Sequence, residues 1–329
     1  MTIPAGALRF NSDSGKLEVY CVDAWYQIDS FSPDSATGGT RAIIFKGIAG
    51  TGIDYVNIDT TGNALDFGTQ SSISQHSSCA SRVRALRTVG YSPSTAPIAT
   101  NVIEFVTIAS TGDAQDFGDS TVARRYATSV SDSTRGLTAG GNTPNPNTNL
   151  IDYVTIASTG NAITFGDLFD GRVLAGGAQS STRGIFAGGE SPGQTNGIEY
   201  VTISTQGTGS DFGDLTLARY GAQGSSNSVR GIFASGYYYT PSTVYSDIIE
   251  YITLASLGDS IDFGNLTVAR STGGSAASPT RMIFCGGNPS AATIDYVQIM
   301  STGDAIDFGD LTSNSGTSDG ATSNGHGGL

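Results

Sequence analysis

Apolar and polar positions along this chain recur in a fixed order. A tetrad of the form I-[DE]-[YF]-[VI] begins at Ile53, Ile103, Ile151, Ile198, Ile249 and Ile294, with gaps of 50, 48, 47, 51 and 45 residues. A repeat of roughly 20–50 residues signals a solenoid or a propeller, so the period outranks any short motif. Three apolar stretches recur inside each unit. "RGIFAGG" (Arg183 to Gly189) is a short run closed by two glycines, and "IEYVTIS" (Ile198 to Ser204) is rich in β-branched and aromatic residues. "AITFGDL" follows a turn, "STGN" (Ser158 to Asn161), and its Phe165 has a counterpart in every unit. Each stretch reads as a strand. The segment before the next arginine, such as "ARYGAQGSSN" from Ala218, is rich in small residues and suits a strand crowded near an axis.

Four short antiparallel strands in each of six units predict an all-β fold, a six-bladed β-propeller of four-stranded blades. A stacked β-solenoid is the alternative at this period. The spacings show where length varies. The tetrad isoleucine and the "FG" phenylalanine are 14 residues apart in all six units, and that phenylalanine precedes the next repeat arginine by 17 or 18 residues. From the arginine to the next isoleucine the distance is 12, 19, 16, 15, 19 and 13 residues. In an up-and-down blade the 2–3 and 4–1 connections share one end. One rim of the disc is therefore uniform and the other individually tailored, and variable loops on a rigid scaffold are where binding resides.

The small-residue strand has no partner unit ahead of Arg41, whereas "SNSGTSDGATSNGH" after Phe308 keeps the 18-residue spacing and puts His326 where an arginine would stand. The stretch from about Ser315 to Ser323 is therefore expected to supply the innermost strand of the first blade. The rival, "SFSPDSATGG" (Ser30 to Gly39), contains Pro33, which suits a central strand poorly.

These residues resemble the kelch repeat of β-propellers from about Arg41 to the C-terminus. The resemblance rests on the small/Gly strand, the "iFaGG" strand, the tyrosine-bearing strand and the aromatic of the fourth strand. Double glycines stand at Gly140 and Gly141, Gly188 and Gly189, and Gly286 and Gly287, and phenylalanine replaces the usual tryptophan. Separately, "GALRFNSDSGKLEVYCVDAWYQI" (Gly6 to Ile28) is similar to the short β-modules of tail-fibre and other virion surface proteins of tailed bacteriophages, marine ones especially. Such proteins also carry repeats like "IEYVTIASTGDAxDFGDLT". The resemblance implies an N-terminal module over residues 1–29 that anchors or oligomerises, ahead of a propeller over residues 30–329. It also implies a place on the virion surface after assembly in the host cytoplasm, so no secretory signal is expected, and "MTIPAGALRFNSDSG" shows none.

Composition narrows the partners. The 329 residues include 16 Lys and Arg against 29 Asp and Glu, a net charge of −13, which argues against nucleic acid. No apolar run approaches the 18 residues of a membrane-spanning helix. Three cysteines, Cys21, Cys79 and Cys285, are an odd number without metal-type spacing and read as reduced thiols. Copper chemistry of the galactose-oxidase kind needs imidazole or soft ligands, and only His76 and His326 exist, in different contexts. No enzyme, cofactor or metal is expected. Asp304, Asp307 and Asp310 lack the spacing of a calcium loop and read as solvated turn residues.

A central arginine cluster would be the other catalytic option. Arg41, Arg84, Arg135, Arg183, Arg230 and Arg281 instead read as structural, each expected to contact the Asp or Asn of a 3–4 turn (Asn63, Asp113, Asn161, Asp259, Asp304), because a feature of every unit serves the unit.

The tailored rim carries the candidate binding residues: Tyr91, Asn142, Asn145, Asn147, Tyr237, Tyr238, Tyr239 and Tyr245. Seven of the ten prolines also lie in its loops, and rigid loops lower the entropic cost of recognition. Tyrosine offers an apolar face with a polar tip, and asparagine both donates and accepts, which suits a host-surface glycan or protein. Packing of these residues on one another or on a neighbouring subunit is the plain alternative.

The expected function is a phage tail fibre or appendage that presents a propeller for host recognition, joined to other virion proteins through the N-terminal module, with self-association left open. A capsid or tail decoration that stabilises the particle is the second reading, and a cellular kelch scaffold the third.

Overall fold

The computed structural model describes residues 4, 7–11, 16–21, 24–27, 39–47, 51–92, 98–143, 147–190, 192–289, 291–315 and 320–329. Two compact units divide the chain, Met1–Ala36 and Thr37–Leu329. The first holds an antiparallel meander of Leu8–Asn11, Lys16–Cys21 and Ala24–Gln27. In it Arg9 pairs with Glu18 at 2.7 Å and lies over the Trp25 ring at 4.3 Å. The expected module end at Asp29 and most of the rival strand Ser30–Gly39 lie outside the described residues.

The second unit contains six antiparallel sheets, one for each tetrad. Blade 4 is representative. From the inside outwards it runs Gly176–Gln179, Arg183–Ala187, Gly197–Thr202 and Ser210–Asp214. The second strand is buried along nearly its whole length, which explains its unbroken apolar run: both of its faces meet neighbouring blades. The third buries Ile198, Glu199 and Val201 and leaves Tyr200 half-buried and Thr202 exposed, and the outer strand buries only its phenylalanine. Six apolar clusters fill the spaces between consecutive blades. One joins Ile43, Phe45 and Phe67 of blade 1 to Ala85, Val106 and Ile108 of blade 2.

Blade 1 is a composite of distant parts of the chain. Gly320–Ser323 pairs antiparallel with Arg41–Phe45, Thr322 opposite Ile43, and Gly52–Asn57 and Leu65–Thr69 complete the sheet. The inner strand begins later than expected. Ser315 belongs to the outer strand of blade 6, Ile306–Ser315, where it pairs with Ala291. A repeated cap shows how alike the joins are. In five blades the amide of the repeat arginine donates to a side-chain oxygen three residues earlier: Ser81, Asp132, Ser180, Asn227 or Ser278. Arg41 donates instead to Asn324 Oδ1 at 2.9 Å, from 283 residues away.

Beyond Asn324 the chain crosses the inner ends of several blades. His326 Nε2–H donates to the Ala80 carbonyl at 2.9 Å, its Nδ1 accepts from the Gly328 amide, and Gly327 N–H donates to Ser226. His326 therefore does not replace a repeat arginine, as its spacing suggests. It fastens the tail to blade 2.

Two outcomes follow for stability. Truncation after Ser315 removes few bulky apolar residues yet exposes the edge of Arg41–Phe45, so the product should aggregate or lose cooperative unfolding by circular dichroism and size exclusion. Unaltered melting would contradict that role. Burial also holds both histidines neutral, taking His326 down to about 4 and His76, beside the Arg87 charge, down to about 3. The unfolded chain binds these protons near pH 6.5, so their contribution is fully present above that pH and is lost as pH falls towards 4 and then 3. At about 1.4 kcal/mol per pH unit, His326 accounts for about 3 kcal/mol. Melting temperature should fall steadily below about pH 6.5, and less steeply in His326→Asn.

Candidate functional site

The repeated polar residues are absorbed by contacts between blades. Each repeat arginine lies over the aromatic ring of its own third strand, as Arg230 does over Tyr251 at 4.3 Å and Arg84 over Phe105 at 4.6 Å. Its guanidinium donates to the carbonyl that ends the third strand of the next blade. Arg84 reaches Ile156 O at 3.1 Å, Arg183 reaches Leu254 O at 2.7 Å, and Arg41, Arg135, Arg230 and Arg281 do the same. This corrects the expected Arg to Asp/Asn contact. A guanidinium stacked on a ring has its fork at the height of the neighbouring carbonyl, not of the turn side chain.

The turn residues have other work. Asp113, Asn161, Asp259, Asp304 and Asn63 each accept from a backbone amide in the outer strand of the preceding blade, at 2.8–3.1 Å. The Thr69 hydroxyl and amide hold the Asp113 carboxyl below its ordinary range. Backbone bonds run alongside, such as Gly160 N–H to Phe117 O at 2.8 Å. They require the "FG" glycine. Gly118 has φ 142°, and a Cβ there would stand 2.5 Å from the Gly160 oxygen.

A second cationic series sits beneath the tailored rim and was not anticipated. Each tetrad acid is buried and ion-paired: Asp152 with Arg124 (3.0 Å), Glu199 with Arg172, Glu250 with Arg219, and Asp295 with Arg270 (2.9 Å). Each of these arginines arrives from the preceding blade. Burial pulls its pKa down, and the carboxylate opposes that. The same guanidinium collects carbonyls where strands 2 and 3 part, as Arg124 does with Thr138 O (2.9 Å) and Leu150 O (3.2 Å). The roots of the loops are thereby fixed whatever the loop length.

An arginine seven residues after the "FG" phenylalanine was the available signal, present in four units. The other two units substitute locally. Lys46 meets Asp54 at 3.0 Å, and Arg87 meets Glu104 at 2.6 Å.

Above these roots the structure separates the predicted rim residues. Tyr237–Tyr239 is not a loop but a strand paired with Thr243–Tyr245, which lengthens the blade 5 hairpin. Tyr237 and Tyr245 lie together, ring centroids 6.3 Å apart. Tyr239 is 61% exposed, and its amide donates to Gln194 Oε1. Tyr238 is half-buried. Asn142 and Asn147 bond each other at 2.9 Å, and Asn145 lies outside the described residues. Tyr91 lies under Arg125, whose guanidinium is 5.7 Å from its ring.

The 4–1 connections add residues that loop counting missed. Tyr220 packs perpendicular to Tyr237 with centroids 4.1 Å apart, and the Arg125 guanidinium also lies 5.4 Å from the Tyr126 ring. Gln75, Tyr126, Leu174 and Thr272 all have φ of 56–58°, and Gly221 has 72°. These left-handed residues form a chain around the axis: the amides of Tyr126, Leu174, Gly221 and Thr272 each donate to the carbonyl of the one before, starting at Gln75, at 2.8–3.0 Å. Below them lies a cavity of about 100 Å³ lined by small and hydroxyl side chains, among them Ser77, Thr128, Ser129 and Ser275, with His76 and Gln223.

His76 and His326 are not brought together: His76 lines the cavity, whereas His326 bonds Ala80 and Ser131. Among the described residues no group of three or more His, Cys, Asp or Glu converges as a metal site would. Cys79 and Cys285 are buried in blade cores, and burial pushes the Cys79 thiol up to about 12.

No family model matches the sequence, and no curated protein matches it. Among solved structures the chain is similar to YjhT, with a TM-score of 0.64 at 11% identity over 76% of this chain and 88% of that one. YjhT is a kelch-like β-propeller, and the likeness shows the fold.

The two arginine series should differ in weight. Arg270→Met strands the buried Asp295 carboxylate and should cost about 3–5 kcal/mol in denaturant unfolding. Arg281→Ala, which loses a half-exposed contact, should cost about 1 kcal/mol. Equal losses would show that the buried pair does not anchor the blade.

Proposed function

We propose that this protein is a non-enzymatic recognition module, a propeller carried on a phage virion as a tail fibre or appendage, whose tailored rim engages a host-surface glycan or protein. The supporting observation is the asymmetry of the disc. On the uniform rim, repeat arginines are occupied by the next blade, and turn carboxamides and carboxylates by the preceding one. On the other rim the buried Arg–acid pairs anchor the loop roots, and the tyrosines gather around the axis. The resemblance of Gly6 to Ile28 to phage surface modules supplies the virion setting, with that module as the attachment to other virion proteins.

One feature favours the decoration reading. Leu65, Ile163, Ile261 and Ile306 begin the outer strand in four blades and are each 55–59% exposed, so apolar residues recur around the circumference. That band suits lateral contact with a particle surface.

Replacing Tyr237, Tyr238 and Tyr239 with serine separates the two. Under the appendage reading, adsorption to host cells is lost while the protein stays folded. Tyr237 packs on Tyr220, so some loss of stability is expected, at about 2–4 °C in Tm per kcal/mol. Full adsorption, with immunogold labelling spread over the capsid, would favour decoration instead.

A further inference from the structure

A recess of about 240 Å³ opens beside the blade 5 hairpin, walled by Tyr126, Leu174, Tyr237, Tyr245, Thr272 and Asn288. Four of the five described left-handed residues at the axis carry side chains, and the fifth is Gly221. A Cβ on Gly221 would come within 2.8 Å of the Thr272 methyl and 3.3 Å of the Tyr237 ring. Its absence lets that ring lie close to the axis.

Polar groups at the recess are paired in a particular way. Asn288 Nδ2 donates to the Tyr245 hydroxyl at 2.8 Å. This leaves Asn288 Oδ1 as an acceptor beside the Tyr245 proton as a donor, which is the complement of a hydroxyl that must both donate and accept. The aromatic rings supply the apolar surface that a ring's C–H face requires.

Charge excludes the alternatives. Around Tyr237 stand Tyr220, Tyr126, Tyr245 and the Glu190 carboxylate, with no cation among them, and burial together with these neighbours pushes its hydroxyl up to about 12. None of the residues that line the recess is charged, so the wall itself offers an anion no ion pair. Arg125, behind Tyr126 and outside the lining, is taken up by the rings of Tyr91 and Tyr126 and by Gln75 Oε1, so it is not offered to an anion, and its charge disfavours a second cation on that wall. The volume is below the roughly 300–1,000 Å³ of pockets for drug-sized ligands. One ring fits, not a chain of them.

We infer that this recess takes a single uncharged, hydroxyl-bearing ring of the pyranose type, the terminal residue of a surface glycan. The inference rests on reading the tailored rim as the recognition face. The full chain is titrated with methyl glycosides of glucose, galactose, mannose and N-acetylglucosamine, and with glucuronate and tetramethylammonium, followed by saturation-transfer NMR and calorimetry.

At least one neutral glycoside should bind weakly and saturably. Asn288→Ala should weaken it at least tenfold without a change in Tm, and Tyr245→Phe, which removes only the donor, should weaken it less. Gly221→Ala should also close the recess, and Asp262→Asn on the circumference should have no effect. Tighter binding of glucuronate or tetramethylammonium would overturn the inference. So would the absence of any glycoside binding in a protein whose adsorption still depends on Tyr237 to Tyr239, and there the recognition reading would stand alone. Adsorption indifferent to those tyrosines, with glycoside binding lost in Asn288→Ala, would remove the recognition reading and keep the sugar site.

Discussion

A carboxylate taken out of water between two blades must be neutralised where it stands, and this propeller meets that requirement six times. In four blades the cation comes from the previous blade, along with Thr or Ser hydroxyls such as Thr121 on Asp152 and Thr267 on Asp295. An ion pair desolvated to this degree adds little net stability over an apolar pair, but either partner alone is costly. The consequence is a strict dependence of those four blades on their predecessors. Lys46 and Arg87 show that the requirement concerns charge and not chain position: where no arginine arrives from outside, the blade's own second strand, or the residue just after it, supplies the cation.

The same arginines divide the molecule functionally. By holding the carbonyls at which strands 2 and 3 diverge, they remove from the loops any duty to support the sheet. Length and composition above that level can then change without disturbing the core. On the opposite rim nothing has that liberty. Amide to Asx, glycine to carbonyl and arginine to carbonyl contacts all join one blade to the next, so an insertion there would break the join. Uniform and variable spacing along the chain are two readouts of this one arrangement.

At the variable rim, proximity arises across blades as well as within them. Tyr91 belongs to blade 2, Tyr126 to the entry into blade 3, Tyr220 to the entry into blade 5 and Asn288 to blade 6. The ring of left-handed residues draws these connections towards the axis and gives a mainly uncharged mouth on a protein of net charge −13.

The sequence by itself determined the number of blades, the order of strands within each, the strand that the C-terminal stretch contributes to blade 1, and the connection that varies. All of these are properties of a period, and a period is visible in one dimension. The tertiary structure alone decided partners. Arg84 and Arg230 were legible as structural but not as ring-stacked carbonyl donors, because the carbonyl belongs to another blade about 70 residues away. In the Arg124–Asp152 class the recurrence of both residues was legible but their pairing was not, for the same reason. Among the rim residues, Asn142 and Asn147 were drawn to each other, and Tyr126 and Tyr220 were passed over within small-residue segments. Which side chains meet at the axis depends on the twist and spacing of whole blades, and a repeat read along the chain carries no information about the angle between one sheet and the next.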